Sequence, residues 1–349
     1  MVSDVTASVE VLPGLDAAAP LLQVTDLRVE FRTRVGLAHA VNGVSFHLSP
    51  GETLAILGES GCGKSVTAQA VMGIIDSPPG FVTGGEIRYR GVDLLTLPEE
   101  QRRAVRANRI AIIFQDALSA LNPVFTVGFQ ISELFRKHRG MSREDSRRRA
   151  VEMLDLVQIP AARQRVRDFP HQFSGGMRQR VMIAIALALD PDVLIADEPT
   201  TALDVTVQAQ IMKLLAQLQR EREMGLILIT HDMGVVAETA RRVVVQYAGQ
   251  QAEMQDVLGL FADPQHPYTA ALLHALPERA HERLLPTIPG LVPGAGDRPS
   301  GCLFHPRCEF ATDRCAAEEP PFAPGPRGRV RCHYPLTGEI PAGHPRYEQ

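Results

Sequence analysis

A glycine-rich loop between an apolar run and a helical segment constrains the fold of this chain more than any other feature. Thr53–Leu57 has the length of a buried parallel strand, and Lys64–Ile75 has the character of a helix. Between them, Gly58-Glu-Ser-Gly-Cys-Gly-Lys64-Ser65 fits the pattern G-x-x-x-x-G-K-[ST]. The flanks are the strand and helix that this phosphate-binding motif requires, and they predict an α/β fold. The alternative, a plain glycine-rich turn with an exposed lysine, does not need these flanks.

The chemistry of the loop suits a nucleoside triphosphate with magnesium. Glycines let backbone amides turn inward around phosphates, and the helix N-terminus adds partial positive charge. Lys64 would neutralise the β- and γ-phosphates, and the Ser65 hydroxyl would ligate Mg²⁺. The predicted binding residues are Gly58, Glu59, Ser60, Gly61, Cys62, Gly63, Lys64 and Ser65, followed by Val66.

A second apolar run, Val193–Ala196, ends at two acidic residues. We expect Asp197 to hold the magnesium through water. Glu198 is the natural general base for the attacking water, a role worth roughly 10²–10⁴-fold in rate. The alternative is a pair of solvated acids at a strand end. These two motifs predict binding of a nucleoside triphosphate with Mg²⁺, and by themselves they would allow a GTPase, a kinase or a helicase.

Strands and helices alternate over most of the chain, which predicts a parallel sheet covered by helices. The helix predicted over Val205–Glu223 has one apolar face, with Gly225 as its expected C-terminal cap. Past about residue 255, Pro, Gly, Arg and Cys become frequent and the periodicity fades. We therefore predict a flexible leader over 1–20, a nucleotide-binding domain over 21–255 and a C-terminal extension over 256–349.

Composition excludes several other classes of protein. A net charge of −4 provides no general attraction to nucleic acid, so no nucleic-acid partner is expected. The longest apolar run, Val181–Leu189, is about half of the ~20 residues that a membrane span needs. Met1–Pro20 contains no basic residue, which argues against a secretory signal. We expect the chain to stay in the cytosol.

The segment Phe173-Ser-Gly-Gly-Met-Arg-Gln-Arg180 resembles the L-S-G-G-Q signature of the ATP-binding cassette (ABC) family, with Phe173 and Met177 as mild departures. The resemblance covers roughly residues 22–255. It implies that Ser174, Gly175 and Gly176, at the start of a helix, form a second anion site. In the family this site caps the γ-phosphate of ATP bound to the opposite subunit. The alternative is an ordinary helix N-cap with two flexible glycines.

Other family positions are filled in the same order. Gln115 resembles the Q-loop glutamine, which senses Mg²⁺ and touches the transmembrane partner, and a solvated glutamine is its alternative. Asp204 resembles the D-loop residue that reaches across the dimer. His231 resembles the switch histidine at the γ-phosphate, with a hydrogen-bonded terminal residue as the alternative. Phe31 is the candidate for stacking on adenine, or else a core residue. The resemblance also implies a helical subdomain, about 116–172, that receives a coupling helix from a permease.

Two segments narrow the resemblance to the ATPases of dipeptide and oligopeptide importers. Asp116-Ala-Leu-Ser-Ala-Leu-Asn-Pro123 looks like the start of their helical subdomain, and Gln265-His-Pro-Tyr-Thr269 looks like a tract of their C-terminal regions. Pro267 suits the first turn of a helix. We expect this second tract to be structural and to supply no chemistry.

Four of the five cysteines crowd the C-terminal extension: Cys302, Cys308, Cys315 and Cys332. In a reducing cytosol such a set suggests a metal site rather than disulfides. The gaps exceed those of paired zinc ligands, which favours a [4Fe–4S] cluster, as in similar peptide-importer ATPases. Zinc, with His305 or His333 as a further ligand, and plain reduced cysteines are the alternatives.

The sequence thus predicts an ATPase subunit of a bacterial importer for dipeptides or oligopeptides, peripheral on the cytoplasmic face of the membrane. The resemblance implies a second ATPase subunit, either a different chain or a copy, two transmembrane permease subunits and an extracellular solute-binding protein. The alternative is a soluble ABC-type ATPase in DNA repair, translation or Fe–S assembly. The chain lacks the coiled-coil insertion, duplicated cassette and basic run that would favour it.

Overall fold

The computed structural model describes residues 14–34, 36–201, 203–276, 287–338 and 340–341. Most of the predicted leader, residues 1–13, lies outside the described residues. The strands are β1 (Leu22–Thr33), β2 (Gly36–Leu48), β3 (Thr53–Leu57), β4 (Gly80–Tyr89), β5 (Val92–Asp93), β6 (Ile110–Ile113), β7 (Val193–Asp197), β8 (Gly225–Ile229), β9 (Arg242–Tyr247), β10 (Gln250–Asp256), β11 (Ala323–Pro324), β12 (Arg329–Val330), β13 (Leu336–Thr337) and β14 (Ile340–Pro341). The α-helices are α1 (Lys64–Met72), α2 (Glu99–Asn108), α3 (Ala117–Ala120), α4 (Val127–Arg139), α5 (Arg143–Leu156), α6 (Ala162–Arg165), α7 (Gly175–Leu187), α8 (Val205–Glu221), α9 (Met233–Thr239), α10 (Val257–Ala262), α11 (Pro267–His274) and α12 (Asp313–Ala317).

The chain divides into two compact units, each built from separate stretches of sequence. Counting only described residues, unit 1 takes those within 1–23, 48–52 and 88–228, and unit 2 takes those within 24–47, 53–87 and 229–349. Among the described helices, none is long and apolar enough to cross a membrane.

Unit 2 is organised around β3 and β9, which pair in parallel from Leu54↔Arg242 to Leu57↔Val245. Strand β10 returns antiparallel to β9 through a turn at Ala248 and Gly249, whose φ angles of 46° and 81° suit a tight hairpin. Strand β12 then pairs with β10, and β11 with β12, so the C-terminal extension continues the sheet. Burial of β3, β9 and α9–α11 residues against Leu303 and Phe304 joins that extension to the core.

Unit 1 contains parallel strands β6 and β7, paired from Ile110↔Val193 to Ile113↔Ala196, and β8 lies next to β7. All five residues of β7 are buried, as expected for a strand covered on both faces. Helices α4 and α5 pack on each other and on α7, and they bury apolar residues such as Ile131, Phe135 and Leu154. Helices α4 and α5 lie within residues 116–172, the predicted helical subdomain.

Most predicted elements are found with ends shifted by a few residues. Helix α1 stops at Met72 because Gly73 adopts a left-handed conformation with φ 57°. The predicted cap of α8 is wrong. The helix ends at Glu221 with Arg222 as its cap, Glu223 takes the positive φ of 50°, and Gly225 already starts β8. A side chain at Gly225 would press on Leu48, 2.6 Å away, so close packing explains the glycine.

Candidate functional site

The glycine-rich loop of unit 2 connects β3 to α1, as predicted. Gly58, Gly61 and Gly63 have φ angles of 151°, 79° and 99°, which residues other than glycine rarely adopt. A Cβ on Gly58 would overlap the carbonyl oxygen of Gln246, and one on Gly63 would overlap that of Ala40. The loop is therefore curled tightly against β9 and β2, and its shape depends on these glycines.

Lys64 is buried at the start of α1, and its Nζ donates to the carbonyl oxygens of Gly58 (2.7 Å) and Glu59 (3.0 Å). The ammonium group is thus held inside the curve of the loop, beside the amides at the helix N-terminus, where an anion is stabilised. Burial raises the pKa of Cys62, so its thiol stays protonated at neutral pH and acts as a core residue.

The structure places a second set of residues against this loop that the sequence did not indicate. The Glu59 backbone N–H donates to the hydroxyl of Tyr268 (2.9 Å) in α11. The Glu59 carboxylate accepts two hydrogen bonds from Arg307, at 2.7 and 3.0 Å. The tract 265–269, expected to be only structural, therefore also reaches the phosphate loop. These partners lie more than 200 positions along the chain from Glu59, so no local sequence signal could identify them.

Unit 1 brings together the predicted base and the predicted Q-loop residue. Gln115 Nε2 and Thr201 Oγ1 each donate to Glu198 Oε2, both at 2.8 Å. Glu198 follows the buried Asp197 at the end of β7, and its φ of 46° lies in the left-handed region. Backbone strain of this kind clusters at functional sites, where surrounding contacts hold one side-chain direction. Two donors therefore fix the orientation of this carboxylate.

The signature segment forms the N-terminus of α7. Ser174 caps the helix by accepting from the Met177 N–H (3.4 Å). A Cβ on Gly176 would lie 2.5 Å from Val207 of α8, so a larger residue would push the two helices apart. Ser174 and Gly175 are exposed, which leaves this helix start open to a ligand.

Asp204 caps the neighbouring helix α8, since its Oδ1 accepts from the Val207 N–H (2.9 Å). Phe173, where the family motif has leucine, is buried, and the Arg165 guanidinium lies 5.6 Å from its ring centroid. This departure from the motif therefore fills the core and does not alter the exposed Ser174 and Gly175.

The remaining predicted residues lie in unit 2. His231 is exposed directly after Thr230 and before Asp232, which caps α9. Phe31 is half-buried near the end of β1, with its ring beside Gly80.

The four C-terminal cysteines all line one small cavity in unit 2. The cavity is bounded by Cys302, Cys308, Cys315, Cys332, His266, His305, His333, Phe304, Phe310, Pro267 and Tyr334. Burial raises the pKa of the Cys308 thiol to about 12, and it raises those of Cys302 and Cys332. These sulfurs therefore stay protonated unless a metal replaces the proton. Within the described ranges, no three His, Cys, Asp or Glu side chains are arranged to hold a metal ion.

Two models of known protein families match different parts of this chain. Residues 41–201, which include the phosphate loop, Gln115, the signature segment and Glu198, match the family model described as ABC transporter. Residues 252–315 match the model described as oligopeptide/dipeptide transporter, C-terminal region. The chain is 50% identical over 327 residues to the dipeptide transport ATP-binding protein DppD of Escherichia coli, covering 93% of this chain and 99% of that protein. The chain belongs to the ATP-binding subunits of dipeptide and oligopeptide ABC importers. The counterpart from Shigella flexneri has the same identity and coverage.

Solved ABC cassettes have the same fold. A dimeric bacterial ABC transporter cassette superposes with a TM-score of 0.61 at 28% identity, covering 68% of this chain and 98% of that one. An ABC transporter component from Clostridium perfringens, part of the complex cbiONQ, has a TM-score of 0.59 at 29% identity, covering 70% of this chain and 91% of that one. The ABC ATPase is therefore an α/β protein with a mixed sheet, and ATP with Mg²⁺ is the substrate expected for its family.

Proposed function

We propose that this ABC ATPase hydrolyses ATP to drive a bacterial importer of dipeptides or oligopeptides. The observation that carries the proposal is the extent of the similarity. It spans 93% of the chain at 50% identity to a dipeptide transport protein, and a separate model for importer C-terminal regions matches residues 252–315. A general cassette would match only in its nucleotide-binding part.

In the proposed reaction, the amides of the phosphate loop and Lys64 bind the β- and γ-phosphates. Ser65, Gln115 and, through water, Asp197 would hold the Mg²⁺ that accompanies ATP, and the ion would neutralise charge developing on the phosphates. Glu198 accepts a proton from the attacking water. The hydrogen bonds that Gln115 and Thr201 donate to its Oε2 hold the carboxylate in one orientation. His231 contacts the γ-phosphate.

The second half of the proposed site comes from another subunit. The helix start at Ser174, Gly175 and Gly176, where Ser174 and Gly175 are exposed, provides amides and a partial positive charge, which suit the γ-phosphate bound to the opposite ATPase. Asp204 lies beside it at the start of α8 and would reach across the dimer. A related cassette was solved as a dimer with ADP and Pi, which supports this arrangement.

The proposed assembly contains this chain, a second ATPase that is either another protein or a copy, two transmembrane permeases and an extracellular solute-binding protein. The ATPase would be peripheral, on the cytoplasmic face of the membrane. The helical subdomain would receive the coupling helix of a permease.

We further propose a [4Fe–4S] cluster at Cys302, Cys308, Cys315 and Cys332. Their convergence on one cavity supports the proposal. A [4Fe–4S] cluster is held by four cysteine thiolates, and four cysteines line this cavity. The cluster would cross-link a segment with little regular structure. His305 and His333 would complete the competing zinc site.

Purification of the Glu198→Gln variant from its native host tests the assembly. With the base removed, Mg·ATP should hold the ATPase dimer closed and keep its partners bound. We expect two multi-span permeases and a solute-binding protein from detergent-solubilised membranes, identified by mass spectrometry. A parallel purification without nucleotide is the control. Recovery only from the soluble fraction, with nucleic-acid or assembly factors, would contradict peptide import.

A further inference from the structure

Arg307 lies among the C-terminal cysteines, but its side chain is bonded to the phosphate loop. It ends a 3₁₀ turn, His305–Arg307, between Cys302 and Cys308, and its side chain is 4% exposed. Nε donates to Pro289 O (2.8 Å), Nη1 to Glu59 and Tyr247, and Nη2 to Glu59 and Ile288 O. A guanidinium has five N–H donors, so every one of them is used.

The bidentate partner of this guanidinium is a residue of the phosphate loop. Glu59 Oε2 accepts from Nη1 at 2.7 Å and Oε1 from Nη2 at 3.0 Å. Paired, nearly parallel bonds of this kind fix the orientation of a carboxylate as well as its position. The hydrogen bonds to Glu59 dominate the pKa of Arg307 and raise it, so the guanidinium stays charged.

The backbone of the same residue is held by the same C-terminal region. The Glu59 N–H donates to Tyr268 Oη, and the Tyr268 side chain is fully buried against Tyr247 and Phe304. The carbonyl of Glu59 in turn accepts from Lys64 Nζ at 3.0 Å. A continuous set of contacts therefore leads from the C-terminal extension, through Glu59, to the lysine that binds phosphate.

Anchoring matters here because the loop is otherwise costly to order. Gly58, Gly61 and Gly63 give its backbone wide freedom, and ordering such a segment on binding reduces affinity. Two anchors on one residue between these glycines remove part of that freedom in advance. A preorganised loop binds phosphate more tightly without any new contact to the nucleotide.

We propose that Arg307 and Tyr268 are positioning residues of the ATP site, through which the C-terminal extension sets the affinity for Mg·ATP by holding Glu59. The proposal rests on ATP binding at the phosphate loop, and it does not depend on which solute is transported or on a metal at the cysteines. Both residues act through Glu59, so their loss should change nucleotide binding far more than the chemical step.

The test uses the full-length chain and three variants: Arg307→Met, Glu59→Gln and Tyr268→Phe. Dissociation constants for a fluorescent ATP analogue with Mg²⁺ are measured beside KM and kcat. We expect Arg307→Met and Glu59→Gln to raise Kd and KM about tenfold with kcat within about twofold, and Tyr268→Phe to raise them about threefold. The double variant Glu59→Gln/Arg307→Met should have a Kd no higher than that of the single variant with the higher Kd, because both substitutions remove the same contact.

Arg331→Met is the matched control. Arg331 is another mostly buried arginine of the extension, and it donates to Glu319 (3.0 Å), Gln251 O (3.1 Å) and Pro320 O (3.3 Å) without contacting the loop. We expect it to lower the melting temperature and leave KM unchanged.

Two results would overturn the proposal: unchanged Kd in folded Arg307→Met and Tyr268→Phe, or an equal rise in KM in Arg331→Met, which would mean that the extension acts only through folding. Should Arg307→Met fail to fold, Tyr268→Phe, which loses a single oxygen, decides. Wild-type protein that binds no ATP would instead contradict the ATPase assignment itself.

Discussion

At the scale of single residues, the proposed chemistry lies where the backbone leaves regular structure. Glu198 has a left-handed φ of 46° immediately after β7, and three loop glycines have positive φ before α1. Such conformations persist only when surrounding contacts hold them. For Glu198 those contacts are the hydrogen bonds from Gln115 and Thr201, which place a carboxylate oxygen in a defined direction.

Replacing Glu198 by glutamine should abolish turnover and preserve binding. The amide keeps the size of the side chain and cannot accept a proton, so we expect the steady-state ATPase rate to fall roughly 10²–10⁴-fold with little change in Kd for Mg·ATP. Glu223→Gln is the matched control, because Glu223 is also a glutamate with positive φ (50°) but lies exposed in the turn after α8. Hydrolysis within a few-fold of wild type in Glu198→Gln would remove Glu198 from the role of base.

At the scale of elements, several helices start at a side chain that caps them, and two of these caps belong to the proposed site. Ser174 caps α7 and Asp204 caps α8. The same residues were predicted as ligands or dimer contacts, so each has a structural role beside the proposed functional one. Variants must therefore separate stability from activity.

Two substitutions of Asp204 make this separation. Asp204→Ala removes the acceptor for the Val207 N–H and should lower the free energy of unfolding by about 1 kcal/mol, whereas Asp204→Asn retains a capping oxygen. If the carboxylate acts across the dimer, Asp204→Asn lowers ATPase activity while its melting temperature stays near that of wild type.

Ser142→Ala serves as the control, because Ser142 caps α5 through the Asp145 N–H (3.1 Å) outside the proposed site. It should lose similar stability in thermal or denaturant unfolding and keep full activity. Wild-type activity in Asp204→Asn would limit Asp204 to its capping role.

At the scale of the whole molecule, the C-terminal extension is joined to the nucleotide-binding part by more than chain connectivity. Strand β12 extends the sheet beside β10, and Leu303 and Phe304 complete the apolar core of unit 2. The four cysteines line a cavity whose lining residues all belong to the extension. A cross-link at that place would stabilise a segment that has short helices and strands only.

Metal analysis tests that cross-link. Protein purified anaerobically should be brown and contain about four iron and four sulfide per chain, because four converging thiols suit a cubane cluster. Cys332→Ser should lose the colour and lower the melting temperature, since the cluster would no longer tie the segment together. Cys62→Ser, at a buried cysteine of the phosphate loop, is the control and should retain the iron. Colourless wild-type protein with stoichiometric zinc would contradict the cluster.

Much of the fold and of the proposed site follows from local sequence. Turn chemistry, burial period and helix caps act over a few residues, so the phosphate loop, β7 with its two acids and the start of α7 were all predictable. The prediction that Gly225 caps α8 was wrong, because a tertiary contact rather than the helix end requires a glycine there. Gly225 is small to fit beside Leu48, whereas Glu223 adopts the left-handed conformation.

By itself, then, the sequence predicted which residues would carry the chemistry, and it showed which family their pattern resembles. Only the tertiary structure decided which distant residues meet. Gln115 and Glu198 are 83 positions apart, and Glu59 and Arg307 are 248 apart. Their pairing depends on strand order and on burial of the C-terminal extension, and no local preference encodes either. The hydrogen bonds that orient the proposed base and anchor the phosphate loop therefore exist only once the units have folded.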